Sequence, residues 1–258
     1  MVKLVDVVQL KVLHQLELNS LPISVCSLPG NRAAVTLNEK RNILIMDCND
    51  QLSIVDTIAV QGDSKDIAYS NNQLIVLHHT PLMIEILHMN GISVKQKMLE
   101  RKDRLPSQVS VMTEGDVTSI FVFDYGNLGI LRLDEDLQEQ QVFHIPGATR
   151  PPTGGETCIR PFTGRDSFPF TGRDIFPMTV SDICTSEPRC MLAVGENQLL
   201  VSDYGHGLWR LDYTIGRWTL LSENVGMAVS NGFGMAFCHE QNVLYYGGRD
   251  GVVRYAIS

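Results

Sequence analysis

Three stretches of the chain repeat one another: DYGNLGILRLD from Asp124 to Asp134, DYGHGLWRLD from Asp203 to Asp212, and YGGRDGVVRYA from Tyr246 to Ala256. Each closes an apolar run (SIFVF, QLLVS, NVLY) and reverses on glycine and small polar residues. Each then opens a second run whose arginine (Arg132, Arg210, Arg254) sits between apolar neighbours. Gly126, Gly205 and Gly248 supply backbone freedom at the reversal, and alternation of apolar with polar side chains gives each strand one buried face. The stretch therefore reads as strand, tight turn, strand. A recurring unit of this kind cannot bury its apolar face alone, so the chain must stack its units as a propeller or a solenoid.

Taken in order, the N-terminal VKLVDVVQLKVLHQLEL alternates as two strands broken near Val8 and Gln9. A full unit follows from Leu21 as LPISVCSL, GNRAAVTL, NILIMDC and LSIVDTIAV. The next repeats the order with DIAYS, NQLIVLHH, MIEILHM and SVKQKML. Asn71-Asn72 and Asn90-Gly91 join strands of that second unit, and Asn-Gly between apolar runs is a strong hairpin signal. The third unit runs from Ser107 to Ile145 (QVSVM, VTSIFVF, LGILRLD, EQQVFHI). The fourth begins near Pro177 with TVSDICT, then QLLVS, GLWRLD and RWTLLS. The last, GFGMAFC, NVLYYGG and GVVRYAIS, stops after three strands. Four strands per unit is a propeller blade, so the expected fold is an all-β propeller of four-stranded antiparallel blades over residues 1–258, one domain. The short last unit suggests that a strand from the N-terminus completes it and closes the ring, which would remove exposed strand edges.

Between the third and fourth units, 146–176 shows no alternation. It carries Pro146, Pro151, Pro152, Pro161 and Pro169 and duplicates an octad, PFTGRDSF then PFTGRDIF. Prolines at this density prevent ladder hydrogen bonds, and the segment reads as a long loop between blades.

Composition narrows the function classes. An apolar fraction of 44% suffices for a core. No apolar run reaches the ~18 residues of a membrane span, and Lys3, Asp6, Lys11 and Glu17 interrupt the N-terminal alternation, so neither a span nor a signal peptide is expected and the chain reads as cytoplasmic. The net charge of −8 disfavours nucleic acid. The one basic candidate holds Arg150, Arg160, Arg165, Arg173 and Arg189, but Glu156, Asp166, Asp174, Asp182 and Glu187 offset them. Cys26, Cys48, Cys158, Cys184, Cys190 and Cys238 form no CxxC pair or zinc-ligand spacing and are expected as reduced thiols, with Cys26, Cys184 and Cys238 in apolar runs as core residues. No cofactor motif is present, and nothing in the sequence specifies an oligomeric state.

With those units laid out, NRAAVTLNEKRNILIMD, DIAYSNNQLIVLHH, EILHMNG, FPMTVSDICT before QLLVSDYG, and GMAFCHEQNVLYYGGRDGVVRYA resemble the NHL-type propellers of tripartite-motif proteins, in the diverged form found in molluscs and other invertebrates. The resemblance covers most of the chain and implies six blades. The strand pattern of two, then four fours, then three, also allows five. No RING, B-box or coiled-coil pattern precedes the units, so no ubiquitin-ligase chemistry is expected of these residues.

In such propellers the loops joining second to third strands, and blade to blade, lie on one face around the channel, which binds the partner. The resemblance places His78, His79, Asp124, Tyr125, Asp203, Tyr204, His206, Arg249 and Asp250 near that rim, together with the 146–176 loop. The loop offers Phe162, Phe168, Phe170 and Phe176 with Arg165 and Arg173, a composition favoured at interfaces; alternatively these phenylalanines pin the loop down and TGRD merely makes turns. The repeated Asp-Tyr-Gly triplets could orient a ligand in a polar pocket or could simply form turns. His78, His79, His206, Asp124 and Asp203 have the chemical types of metal ligands, although solvated loop histidines are the plainer reading. His14, His88, His144 and His239 look structural, and Arg132, Arg210 and Arg254 are expected to pair with carboxylates or line the outer face. The expected function is a non-catalytic recognition module for a protein or peptide. The alternatives are a metal-dependent, lactonase-like hydrolase at the channel and, third, an RNA-binding propeller.

Overall fold

A computed structural model describes residues 1–6, 9, 11–49, 51–99, 106–124, 129–146, 188–195, 197–203, 207–222, 234–238, 243–248 and 251–256. Every regular element among them is a strand, and the strands pair antiparallel with their sequence neighbours. The first sheet has two strands, β1 (Val2–Asp6) and β2 (Lys11–Leu16). The second has four: β3 (Pro22–Leu28), β4 (Arg32–Leu37), β5 (Asn42–Asp47) and β6 (Ser53–Ala59). The third runs β7 (Asp63–Ser70), β8 (Gln73–Thr80), β9 (Met83–His88) and β10 (Ser93–Met98). The fourth runs β11 (Pro106–Glu114), β12 (Val117–Asp124), β13 (Gly129–Leu133) and β14 (Glu139–His144). In the fifth are β15 (Pro188–Val194), β16 (Gln198–Asp203), β17 (Gly207–Asp212) and β18 (Arg217–Ser222), and the sixth has β19 (Gly234–Cys238), β20 (Val243–Gly248) and β21 (Gly251–Ala256).

The repeated stretches are the second and third strands of the last three sheets, with closing pairs Asp124↔Gly129, Asp203↔Gly207 and Gly248↔Gly251. Turn chemistry acts as the sequence implies. Asn71 and Asn72 both take positive φ (48° and 60°), the geometry of a two-residue hairpin turn whose twist matches its strands, and Gly91 sits at 82°. The turns after third strands share a second device. Asp47, Asn90, Asp134 and Asp212 each accept the backbone N–H two residues on, at 2.9, 3.1, 2.9 and 3.1 Å.

Successive sheets pack face to face in chain order. Val2, Leu4 and Leu16 of the first sheet cover Val35, Leu37, Leu44 and Met46 of the second. Ile43 and Ile45 then meet Leu74, Val76 and Leu87, and Ile75 and Ile86 meet Ile120 and Val122. Phe121, Phe123 and Ile130 meet Leu199, Val201 and Leu211, and Leu200 and Leu208 meet Leu244. First strands lie against first strands, β3 on β7, β7 on β11, β11 on β15 and β15 on β19, so they converge while fourth strands point outward. The burial patterns agree: β4, β5, β8, β9 and β12 bury consecutive residues because sheets cover both faces, whereas β6 and β14 are mostly exposed.

Two expectations are corrected. The first strand of the fifth sheet is Pro188–Val194, paired with β16 across a turn where Gly195 and Asn197 take positive φ; TVSDICT lies outside the described residues. The strand comes later than expected because the apolar run CMLAV and the turn at 195–197 define the hairpin. Among the described residues, moreover, β1 pairs with β2 while β19–β21 form a sheet of their own, so no N-terminal strand joins the last sheet. The N-terminal hairpin instead lays its apolar face on β4 and β5.

Candidate functional site

Up-and-down order within each sheet sends the turns between second and third strands to one face and the other turns to the opposite face. Thr80, Asp124 and Asp203 each end a second strand, so His79, Asp124 and Asp203 belong to the same face of successive sheets. His79 is exposed there, and Asp124 is buried at its strand end. Tyr125, Tyr204, His206, Arg249 and Asp250, and the loop residues Phe162, Arg165, Phe168, Phe170, Arg173 and Phe176, lie outside the described residues.

His78 is not the solvated loop histidine that the sequence suggested. It sits in β8 with no exposed surface, because the strand's pleat turns it away from solvent where His79 turns toward it. Its Nε2 lies 2.9 Å from Oε2 of Glu85, itself fully buried on β9, and Gln96 donates to Glu85 Oε1 at 3.0 Å. Burial pushes the Glu85 carboxyl up, but hydrogen bonds from His78, Ser93 and Gln96 and the charge of His78 outweigh it and hold the group below the usual carboxylate range. Gly62 packs against the imidazole so closely that a Cβ there would stand 2.9 Å from His78 Cβ and Cγ.

The arrangement nearest the convergence of first strands was not visible in the sequence. All four described four-stranded sheets carry a register shift near the start of the first strand: between Pro22 and Ser24, between Asp63 and Asp66, between Pro106 and Gln108, and between Pro188 and Cys190. A bulge re-aims the side chains that follow it. Ser24, Asp66, Gln108 and Cys190 thus occupy corresponding places on four successive sheets and bond one another. Ser24 Oγ donates to Asp66 Oδ1, Val109 N–H donates to Asp66 Oδ2 at 2.7 Å, and Gln108 bonds the Cys190 thiol. Asp66 is half-buried among them. Burial pushes its carboxyl up to about 6, against the lowering by Ser24, Val109, Ile67 and Lys65. Lys65 donates to the carbonyl of Pro106 at 3.0 Å, and burial lowers its ammonium. The Cys26 and Cys190 thiols are pushed up to about 12, chiefly by burial, so they are poor nucleophiles. Among the described residues, no three His, Cys, Asp or Glu side chains gather as metal ligands.

Arg132, expected to pair with a carboxylate or to line the outer face, meets a serine and an aromatic ring. Its Nε and Nη2 donate to Ser119 Oγ at 3.2 and 3.0 Å, and its guanidinium lies 4.9 Å from the centroid of the Tyr213 ring in the next sheet. Tyr213 OH donates to Glu114 at 3.0 Å, and its phenol is pushed up to about 12, first by burial and then by Glu114.

No protein-family model matches the chain, and no curated protein matches it in sequence. Solved structures do. A protein of unknown function from Bacteroides caccae superposes over 98% of this chain and 85% of its own, with a TM-score of 0.59 at 9% identity. Virginiamycin B lyase from Staphylococcus aureus superposes over 92% of this chain and 70% of its own, at 0.55 and 11%. The fold is that of a β-propeller. BamB from Moraxella catarrhalis aligns over 95% of this chain, which spans only 61% of BamB, with a TM-score of 0.46 at 15% identity. At 9 and 11% identity the likeness to the first two is one of fold.

Proposed function

We propose that this propeller is a non-catalytic recognition module of NHL type, acting in the cytoplasm, which binds a protein or peptide on the face carrying the turns between second and third strands. One observation carries the reading. Among the described residues, the carboxylate where first strands converge is engaged by the fold: Asp66 accepts from Ser24 and from the Val109 amide, and so ties three first strands together. A catalytic carboxylate must instead be left to meet substrate. The turn face, with His79 exposed on it, is where chemically varied side chains remain for a partner.

The test begins with a partner captured from an extract of the source cells, identified and then titrated as purified material. Replacing Arg165, Phe168, Phe170 and Arg173 together with His79 is expected to weaken that partner at least about tenfold with an unchanged melting temperature. Undiminished affinity would remove the turn face from the interaction. Metal analysis, with melts in added calcium or zinc, tests the hydrolase alternative: a stoichiometric metal and a raised melt would overturn the recognition reading.

A further inference from the structure

The repeated Leu-Arg-Leu-Asp and Trp-Arg-Leu-Asp put Glu135 of the fourth sheet and Tyr213 of the fifth at the same position, one residue past the aspartate. Asp134 and Asp212 shape both turns alike, each accepting the N–H two residues on. Tyr213 fills the joint beside it. Its buried ring lies against Phe121 and the Arg132 guanidinium of the fourth sheet, and its hydroxyl donates to Glu114 at the end of β11. Glu135 is exposed at its turn instead. At its joint, between third and fourth sheets, lies a cleft of about 220 Å³ with Ile75, Ile86 and Ile120 at its base and Val94 on its wall. The cleft opens on the face opposite the turns between second and third strands, so it is separate from the surface proposed above.

Its rim is rich in acceptors. Asn71 donates its amide N–H to Thr118 at 3.2 Å. Among the described residues, the Glu135 carboxylate, Asn71 Oδ1 and the Gln73 side chain take part in no hydrogen bond. Lys95, the cation on the rim, already donates to Asp136 and, at 3.0 Å, to the carbonyl of Glu135. Asp136 by hydrogen bond and charge, and Glu135 and Asp134 by charge, hold its ammonium above the ordinary value, so three carboxylates bear on one cation. An aliphatic base under a net-negative rim suits a cation carried on a hydrocarbon stem. The volume lies below the ~300 Å³ at which pockets for whole small molecules begin, and matches a single long side chain. The net charge of −8 favours encounter with a basic segment.

We propose that this cleft receives an arginine side chain of a partner peptide, its stem on Ile75, Ile86 and Ile120 and its guanidinium against the Glu135 carboxylate and Asn71 Oδ1. A planar fork of donors matches a carboxylate beside an amide oxygen better than a point charge does. One joint further on, the chain places its own Arg132 against Tyr213.

An isotope-labelled full chain titrated with acetyl-Gly-Arg-Gly-amide is expected to show shifts at the Gln73, Val94 and Thr118 amides, with a dissociation constant of ~1 mM because one side chain makes the contact. The citrulline peptide, alike in shape but uncharged, should bind at least about fivefold more weakly, and so should the arginine peptide to Glu135→Gln. Val94→Arg should occupy the cleft from within and abolish the shifts. Both variants should keep the wild-type melt, since Glu135 is exposed and Val94 is 39% exposed. Asp56→Asn, which removes an exposed carboxylate from β6, should bind as wild type does. Shifts absent from the cleft overturn the proposal, as does a citrulline peptide that binds equally well or a Glu135→Gln chain that loses nothing. Free arginine bound more tightly than the peptide would make the ligand an amino acid and overturn it too.

Discussion

Burial without compensation governs the strongest single-residue effects. His78 and Glu85 are enclosed together, and each is tolerable there because of the other. His78→Leu leaves the carboxylate with Ser93 and Gln96 but without its ring partner, and chemical denaturation should show a loss of about 3–5 kcal/mol. His78→Leu with Glu85→Leu should lose much less, since the uncompensated charge goes too. Gly62→Ala drives a methyl into the imidazole and should cost about 1–3 kcal/mol in the same denaturation measurement. Asp66 sets a pH dependence. Its folded pKa is raised from 3.8 to about 6, so the folded state holds the proton more tightly than the unfolded chain. The stability this contributes is complete below the unfolded value and is lost as pH rises through about 6. Glu85 has the opposite sign, its contribution being lost as pH falls through its lowered value. Urea titrations from pH 4 to 7.5 should show wild type declining relative to Asp66→Asn by on the order of 2 kcal/mol, and parallel curves would mean that Asp66 titrates normally.

At the scale of elements, neighbouring sheets are joined by side chains as well as by apolar packing. The Arg132 guanidinium over Tyr213 couples the fourth sheet to the fifth, while Glu114 accepts from Tyr213 OH and from Asn197 N–H at 3.0 and 2.7 Å. A double-mutant cycle between Arg132→Met and Tyr213→Leu should give a coupling of about 0.5–1 kcal/mol, retained in high salt because the contact is partly desolvated. Additive losses would reduce the pair to adjacency. Much of the element scale was legible beforehand. The apolar run in NILIMD, the alternation in SVKQKM, and Asn71-Asn72 between two strands are local signals, and these strands stand where those signals put them. Tyr213 was not legible as a joint, because in sequence it is only the residue after a repeated Asp212.

Across the whole molecule, the stacked sheets form a nearly one-dimensional chain of interfaces, each strand fastened to its own sheet and each sheet to its neighbours. Second and third strands are covered on both faces and fourth strands on little. Amide exchange in β8 and β12 should therefore be at least about tenfold slower than in β6 and β14, and uniform protection would mean that the outer strands are covered. The sequence by itself determined the strand repertoire, the hairpin turns and the grouping in fours, because pleat alternation and turn conformation depend on residues a few positions apart. Only the tertiary structure decided that Ser24, Asp66, Gln108 and Cys190 meet across four sheets, and that His78 is enclosed while His79 is not. Those outcomes depend on which sheet stands beside which and on bulges that re-aim side chains, and neither leaves a period in the sequence.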